Sequence, residues 1–357
     1  MPAAPTETVL ELKPQKRFEL IDVSRESDEK LGDKIHNYAK AAYCSLHTTA
    51  GYLEQSLAAR LLHSKDHVDP FIKVFRKLFP PNMNYRHDQL DLRTELSDEQ
   101  KKDEPLNADS HLIFISSGLK NCVTYKNVPG QPVYFVELDG TNVNAPPRTR
   151  RTNLIYYNSE ETVYNVRMPI PISQHPIDSV NLRDSKIGFM DELQHLLQKF
   201  EIEKGKIDIS LCNDENSAGL TVNEYETLLM RHDLIDVLKN PFLYMAQKGK
   251  HMLENPRAIP GKTLNYAKYD LVHLFNEMMD AFRCSSSVVE KILAKFLQLP
   301  AERFLRMKRD ITLLATNNGN ESESRILQGT YQSPILVQWR SNDAGCRYVD
   351  VQLTRFK

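Results

Sequence analysis

The chain has 357 residues, of which 41% are hydrophobic and 26% charged, enough to bury a real core and, by length, to form about two domains. Lys and Arg number 46 against 47 Asp and Glu, a formal charge of −1, so no basic surplus exists for neutralising a nucleic-acid backbone. No apolar run approaches the roughly 18 residues of a membrane span. Met1–Pro14 lacks the basic-then-apolar layout of a signal peptide. The cysteines (Cys44, Cys122, Cys212, Cys284, Cys346) stand singly, which argues against a disulfide framework or thiolate zinc site and points to a reducing cytoplasm.

In chain order, Phe18–Val23 alternates apolar and polar residues and reads as a strand with one buried face. Asp28–Tyr38 looks helical, and Tyr43–Thr49 is β-prone. Leu57–Phe79 is a long helical stretch stopped by Pro80 and Pro81. Leu96–Glu104 is a charge run expected as an exposed loop. Strands are expected at His111–Ser116, Cys122–Tyr125 and Val133–Leu138, with Asn153–Tyr157 closing the first half. The second half opens on the Pro-punctuated stretch Met168–Pro176, a linker or an edge strand. Asp191–Phe200 is an amphipathic helix, Lys206–Cys212 a strand, and Val222–Leu238 a helix with Asn223 near its start. Leu271–Leu297 is largely helical, and strands follow at Asp310–Ala315, Pro334–Trp339 and Arg347–Leu353.

The halves share an element order. HTTAGYLE (47–54) lines up with ENSAGLTVNE (215–224) on a common Ala-Gly, FVELDG (135–140) with LVQWRS (336–341), and Arg151 with Arg347. The offset grows from 168 residues at Ala50/Ala218 to 201 at Val136/Val337, which places an insertion in the second copy, in the helical region near 271–305. The reading is a duplication. Two unrelated α+β domains of similar order are the alternative.

Three histidines of the first half have settings suited to chemistry. His47 ends a predicted strand before Thr48 and Thr49, His87 follows the Pro-Pro stop, and His111 opens a predicted strand, with Asp88 and Asp109 nearby. Three imidazoles from separate segments plus a water would make an open site for a divalent metal ion, or supply an acid/base pair. Their spacing is not diagnostic, and chance clustering remains the alternative. Arg148, Arg150 and Arg151 can bind phosphate in bidentate fashion, or form a solvated loop. No P-loop, GxGxxG or GxSxG occurs.

HTTAG (47–51), YRHD (85–88), NADSHL (107–112) and FVELDG (135–140), followed by RTRR (148–151), together resemble the YjbQ family over about residues 18–157. The second half resembles it in a complementary way, through SAGLTVNE (217–224) and LQGTYQ (327–332), but has Glu215 in place of His47. The fold this implies is α+β, as two tandem copies of a β-sheet domain with flanking helices: residues 1–160 with the histidine motifs, and residues 161–357 degenerate with the insertion. The family is linked to a secondary thiamine-phosphate synthase activity, which joins a pyrimidine diphosphate to a thiazole phosphate with loss of pyrophosphate. The resemblance therefore implies a transferase acting on a phosphorylated or heterocyclic small molecule. It further implies a composite site of His47, His87 and His111 with Glu224, and with Thr48, Thr49, Asn223, Gln332 and the three arginines on the substrate. Family members look like trimers, which implies a homo-oligomer. The alternative is a non-catalytic ligand-binding or assembly protein of the same fold.

Overall fold

The computed structural model describes residues 3–142, 146–239, 307–317 and 324–357. The helix expected over 271–297 and the insertion expected near 271–305 lie outside them. Two pairs of antiparallel sheets organise the described residues. In the first half a 4-stranded sheet has the order β1-β7-β3-β5, from Thr6–Leu12 (β1), Lys40–Ser45 (β3), Cys122–Lys126 (β5) and Arg150–Tyr157 (β7). A 3-stranded sheet has the order β2-β6-β4, from Glu19–Asp22 (β2), Ala50–Gly51 (β4) and Tyr134–Glu137 (β6).

The second half repeats this plan. Glu160–Pro171 (β8), Lys204–Leu211 (β10), Asp310–Thr316 (β12), Arg325–Ile326 (β13) and Cys346–Phe356 (β15) form a sheet of order β13-β12-β10-β15-β8. Asp178–Asn181 (β9), Ala218–Asn223 (β11) and Ser333–Gln338 (β14) form one of order β11-β14-β9. Substituting β8, β15, β10 and β12 for β1, β7, β3 and β5 converts the first large sheet into the second, with β13 as an added edge. The small sheets convert in the same way. Registers agree: Ala50 lies opposite Glu137 as Ala218 lies opposite Gln338. The fold is α+β, as a tandem duplication. One pairing differs from the expectation: Arg150, not Arg151, is the counterpart of Arg347. Both are buried, and each Nε reaches the equivalent position, Glu137 or Gln338.

Strand β10 shows why these sequences make half-buried strands, because its residues alternate between the interior and a partly exposed face. The first part of the Pro-punctuated stretch, Met168–Pro171, ends β8, which pairs with β15 at the sheet edge, where a missing amide is tolerated, and residues 172–176 lie beyond the strand. Helix Lys65–Leu78 (α3) buries Val68, Phe71, Ile72 and Phe75, a single stripe at helical spacing. The single helix expected over 57–79 is two, Gln55–Arg60 (α2) and α3. Left-handed Leu62 and His63 turn the chain between them, and the Ser64 side chain accepts from the Asp66 amide to start the second. Within the expected charged loop, Ser97 and Gln100 form a capping box that nucleates a short helix, Asp98–Asp103 (α4).

The largest departure concerns His111. The expected strand 111–116 is instead helix Ala108–Ser116 (α5), with its first amide held by Asp88 Oδ1. Every residue of α5 is buried, so no polar face marks its period and the apolar run is ambiguous in the sequence.

The halves are not independently packed. The main apolar core joins Phe71, Phe75, Leu112 and Phe114 of the first half to Leu229, Leu234, Ile335 and Val337 of the second. A smaller core joins Cys44, Ile155 and Tyr157 to Leu314 and Phe356, with the Tyr157 and Phe356 rings stacked at 3.9 Å. No described helix is long and apolar enough to cross a membrane.

A candidate functional site at the seam between the two halves

β11 ends at Asn223, and the turn after it carries Glu224 and Glu226 into the first half. Asn223 is a strand terminus, not the helix start expected from the sequence; the helical segment begins beyond it and leads into Leu234–Lys239 (α7). Ladder pairing with Ser333 fixes the Asn223 backbone and leaves its side chain free to cross the seam. Its Nδ2 donates to the Thr48 carbonyl at 3.0 Å, and its Oδ1 accepts from the Glu224 amide at 2.8 Å. These partners settle the amide orientation, so Oδ1 is what faces His111 Nδ1, at 2.7 Å. His111 must donate there, and its neutral tautomer carries the proton on Nδ1. The lone pair on Nε2 is then 3.6 Å from Glu224 Oε2. Burial pushes the Glu224 carboxyl up, against the pull of His87 and Arg93, and leaves it facing the Nε2 lone pair without a direct hydrogen bond.

His87 lies beside it, ring centroids 5.2 Å apart, in the opposite state. Nδ1 is 2.9 Å from Glu226 Oε2 and Nε2 is 3.3 Å from Asn107 Oδ1. Asn107 is oriented by donating its own amide to Asp139. Both ring nitrogens therefore face acceptors, the arrangement of an imidazolium. Burial alone would lower the His87 pKa, but the hydrogen bond to Glu226 and the charge of Glu224 raise it above the ordinary histidine value. Burial and the neighbouring His87 charge lower His111 to about 3. Asp233 fastens the His87 loop by accepting from the Arg86 and His87 amides. Arg93, buried, bridges Glu95, Glu104 and Glu224.

His47 does not join this pair. Its Nε2 accepts from the Arg151 amide at 2.7 Å, and its ring lies beside the Arg150 guanidinium. Burial, then Arg150, Arg148 and Arg151, hold it neutral at about 3. The expected three-histidine metal set is thus not assembled: His47 is ringed by cations, and His87 has no free lone pair. Among the described residues no group of three or more His, Cys, Asp or Glu is placed to hold a metal ion.

The remaining expected residues have these places. Arg150 is engaged by both Glu137 oxygens, Thr49 Oγ1 and the Asp139 carbonyl, which leaves it no fork for a phosphate. Arg148 donates to Asp139, and exposed Arg151 lies 3.3 Å from Glu11. Gln332 Nε2 donates to the Ser45 and His47 carbonyls, so the second half grips the 45–48 turn from two sides. Glu226, Asn107, Asp139, Asp233 and Arg93 were not expected. The sequence signals available were the closeness of Glu226 to Glu224 in NEYE and the places of Asn107 in NADSHL and Asp139 in FVELDG; none marks Asp233 or Arg93.

No model of a known protein family matches the sequence, and no curated protein matches it. Solved structures do match, each across about half of the chain. A YbjQ-like protein of unknown function from Sulfolobus solfataricus is 13% identical, with 55% of this chain and 99% of that one covered and a TM-score of 0.30. A hypothetical protein from Aeropyrum pernix is 18% identical, covering 43% and 99%, with a TM-score of 0.29. An uncharacterized conserved YjbQ-family protein from Clostridium acetobutylicum is 10% identical, covering 53% and 98%, with a TM-score of 0.27.

Proposed function

We propose that the chain is an enzyme that moves a proton on a small phosphorylated or heterocyclic molecule at the seam between its two halves. One observation carries this reading. Two imidazoles in ring contact are given opposite partners by the other half, the Glu226 carboxylate at His87 Nδ1 and the Asn223 amide oxygen at His111 Nδ1. His87 is the acid, kept charged by Glu226, and His111 with Glu224 is the base. Environments that drive paired titratable groups apart are how one site runs acid and base chemistry at one pH. Glu224, at 19% exposure, is the most open of these side chains, against 1% for each histidine. It is the group a substrate meets first. The pyrophosphate-releasing condensation that the family resemblance implies is the reaction on which this reading is tested.

The burial of both histidines favours a second reading, in which the network is a polar latch between two copies with no reaction. The two separate on one experiment. Pyrophosphate release is followed with a pyrimidine diphosphate and a thiazole phosphate for the wild type, His111→Gln and Glu224→Gln. The enzyme reading expects turnover in the wild type and a loss of 100-fold or more in both folded variants. Absence of turnover in the wild type, or full activity in either variant, sinks it and leaves the latch.

A further inference from the structure

α5 has a second face. Asp109 and Ile113 are one helical turn apart and share it, while His111 points the other way, to Asn223. On that side lies a cavity of about 290 Å³, lined by Arg17, Phe18, Lys73, Arg76 and Lys77, with Phe79, Ile113 and Leu138 at its apolar wall. Asp109 is the one carboxylate lining it.

The cations come from two unrelated elements. Lys73, Arg76 and Lys77 lie in the last turns of α3, where positive charge suits the carbonyl end of a helix and would need no further explanation. Arg17 has no such reason. It precedes β2, and its Nη2 is fixed by Asp109 Oδ1 at 2.7 Å and the Leu106 carbonyl at 3.2 Å. Its Nε is buried with no partner among the described residues. Arg76 is also positioned, its guanidinium 4.5 Å from the centre of the Phe18 ring. Burial pushes the Asp109 carboxyl up to about 7, against the pull of Arg17, so at neutral pH the one anion lining the cavity only partly offsets the four cations.

We propose that this cavity binds a small ring-bearing phosphate monoester, with the phosphate on Arg17 and the α3 cations and the ring on the apolar wall. Planar guanidinium groups match phosphate oxygens in bidentate fashion, and a ring adds apolar area that inorganic phosphate lacks. The volume sits at the lower end of small-molecule sites, which fits a single ring and excludes a dinucleotide. The site is separate from the histidine pair and does not rest on the acid–base reading.

The test is calorimetric titration of the full chain at low ionic strength, with phenyl phosphate and inorganic phosphate as probes. The expected result is one phenyl phosphate per chain, bound at least tenfold more tightly than inorganic phosphate. Arg17→Gln and Arg76→Gln should each weaken it at least tenfold, and Lys102→Gln on α4 should leave it unchanged. Arg76 is exposed on α3, so its variant and Lys73→Gln keep the test valid where Arg17→Gln fails to fold. Equal affinity for the two probes, absence of binding at millimolar concentration, or binding indifferent to Arg76→Gln and Lys73→Gln overturns the proposal.

Discussion

Replacing Glu226 with Gln probes the seam most sharply, because it removes one charge and almost no volume. Glu226 holds His87 Nδ1 at 2.9 Å with the two side chains 6% and 1% exposed, and it accepts from the Leu228 and Leu229 amides. The Gln oxygen can keep only one of the two amides, which bond different carboxylate oxygens, and the imidazolium loses its counter-charge. Removing one partner of a buried pair costs about 3–5 kcal/mol if the other stays charged. His87 has a cheaper exit: it can lose a proton, accept from the Gln amide at Nδ1 and keep donating to Asn107 through Nε2. The cost then depends on pH. In the wild type the raised His87 pKa adds stability that is complete below about 6.5 and fades as pH rises through the folded value. The variant lacks that contribution. It should therefore be less stable than wild type by about 3 kcal/mol at pH 6, falling toward the roughly 1 kcal/mol of a neutral hydrogen bond at high pH. Urea denaturation at pH 6 and pH 9 measures both. A loss that is the same at the two pH values, within about 0.5 kcal/mol, refutes the assignment of the charge to His87.

The neutral histidines bear on acid stability. His47 and His111 are each held at about 3, while the unfolded chain protonates them below about 6.5. Their contribution is complete above that value and is lost as pH falls toward 3, at up to about 1.4 kcal/mol per pH unit per histidine. The pH dependence of the urea midpoint between pH 6.5 and 4.5 should thus be shallower in His47→Asn than in wild type; equal slopes would refute burial of a neutral His47. Gly329 tests the docking of the 327–332 turn, since a Cβ there would lie 1.9 Å from the Leu46 carbonyl oxygen. Gly329→Ala should lower stability by about 1–3 kcal/mol in denaturant titration, and a variant as stable as wild type would show that this turn does not rest on the first half.

The duplication was readable because strands carry their own period: the Ala-Gly pair and the 135–140 and 336–341 segments fall in equivalent registers. Arg151 was matched in place of Arg150 because neighbouring arginines look alike until one is seen to be buried on Glu137. α5 was misread as a strand because burial on all sides erases the helical pattern. The pairing of His87 and His111 with residues from the second half was accessible only through the family resemblance, since no local pattern links positions 139 and 112 residues apart along the chain. His47 was placed with them on the strength of its turn. The structure keeps the turn, whose Thr48 carbonyl meets Asn223, and swings the ring to the arginines.

Nitrogen-15 spectra of the histidine rings in the full chain at pH 7 read the two protonation states without an assay of activity. The prediction is one ring, His87, with both nitrogens protonated, and a second, His111, neutral with its proton on Nδ1 and unchanged down to pH 5. Two rings titrating together near 6.5, or His111 protonated on Nε2 alone, would contradict the paired acid and base at the seam.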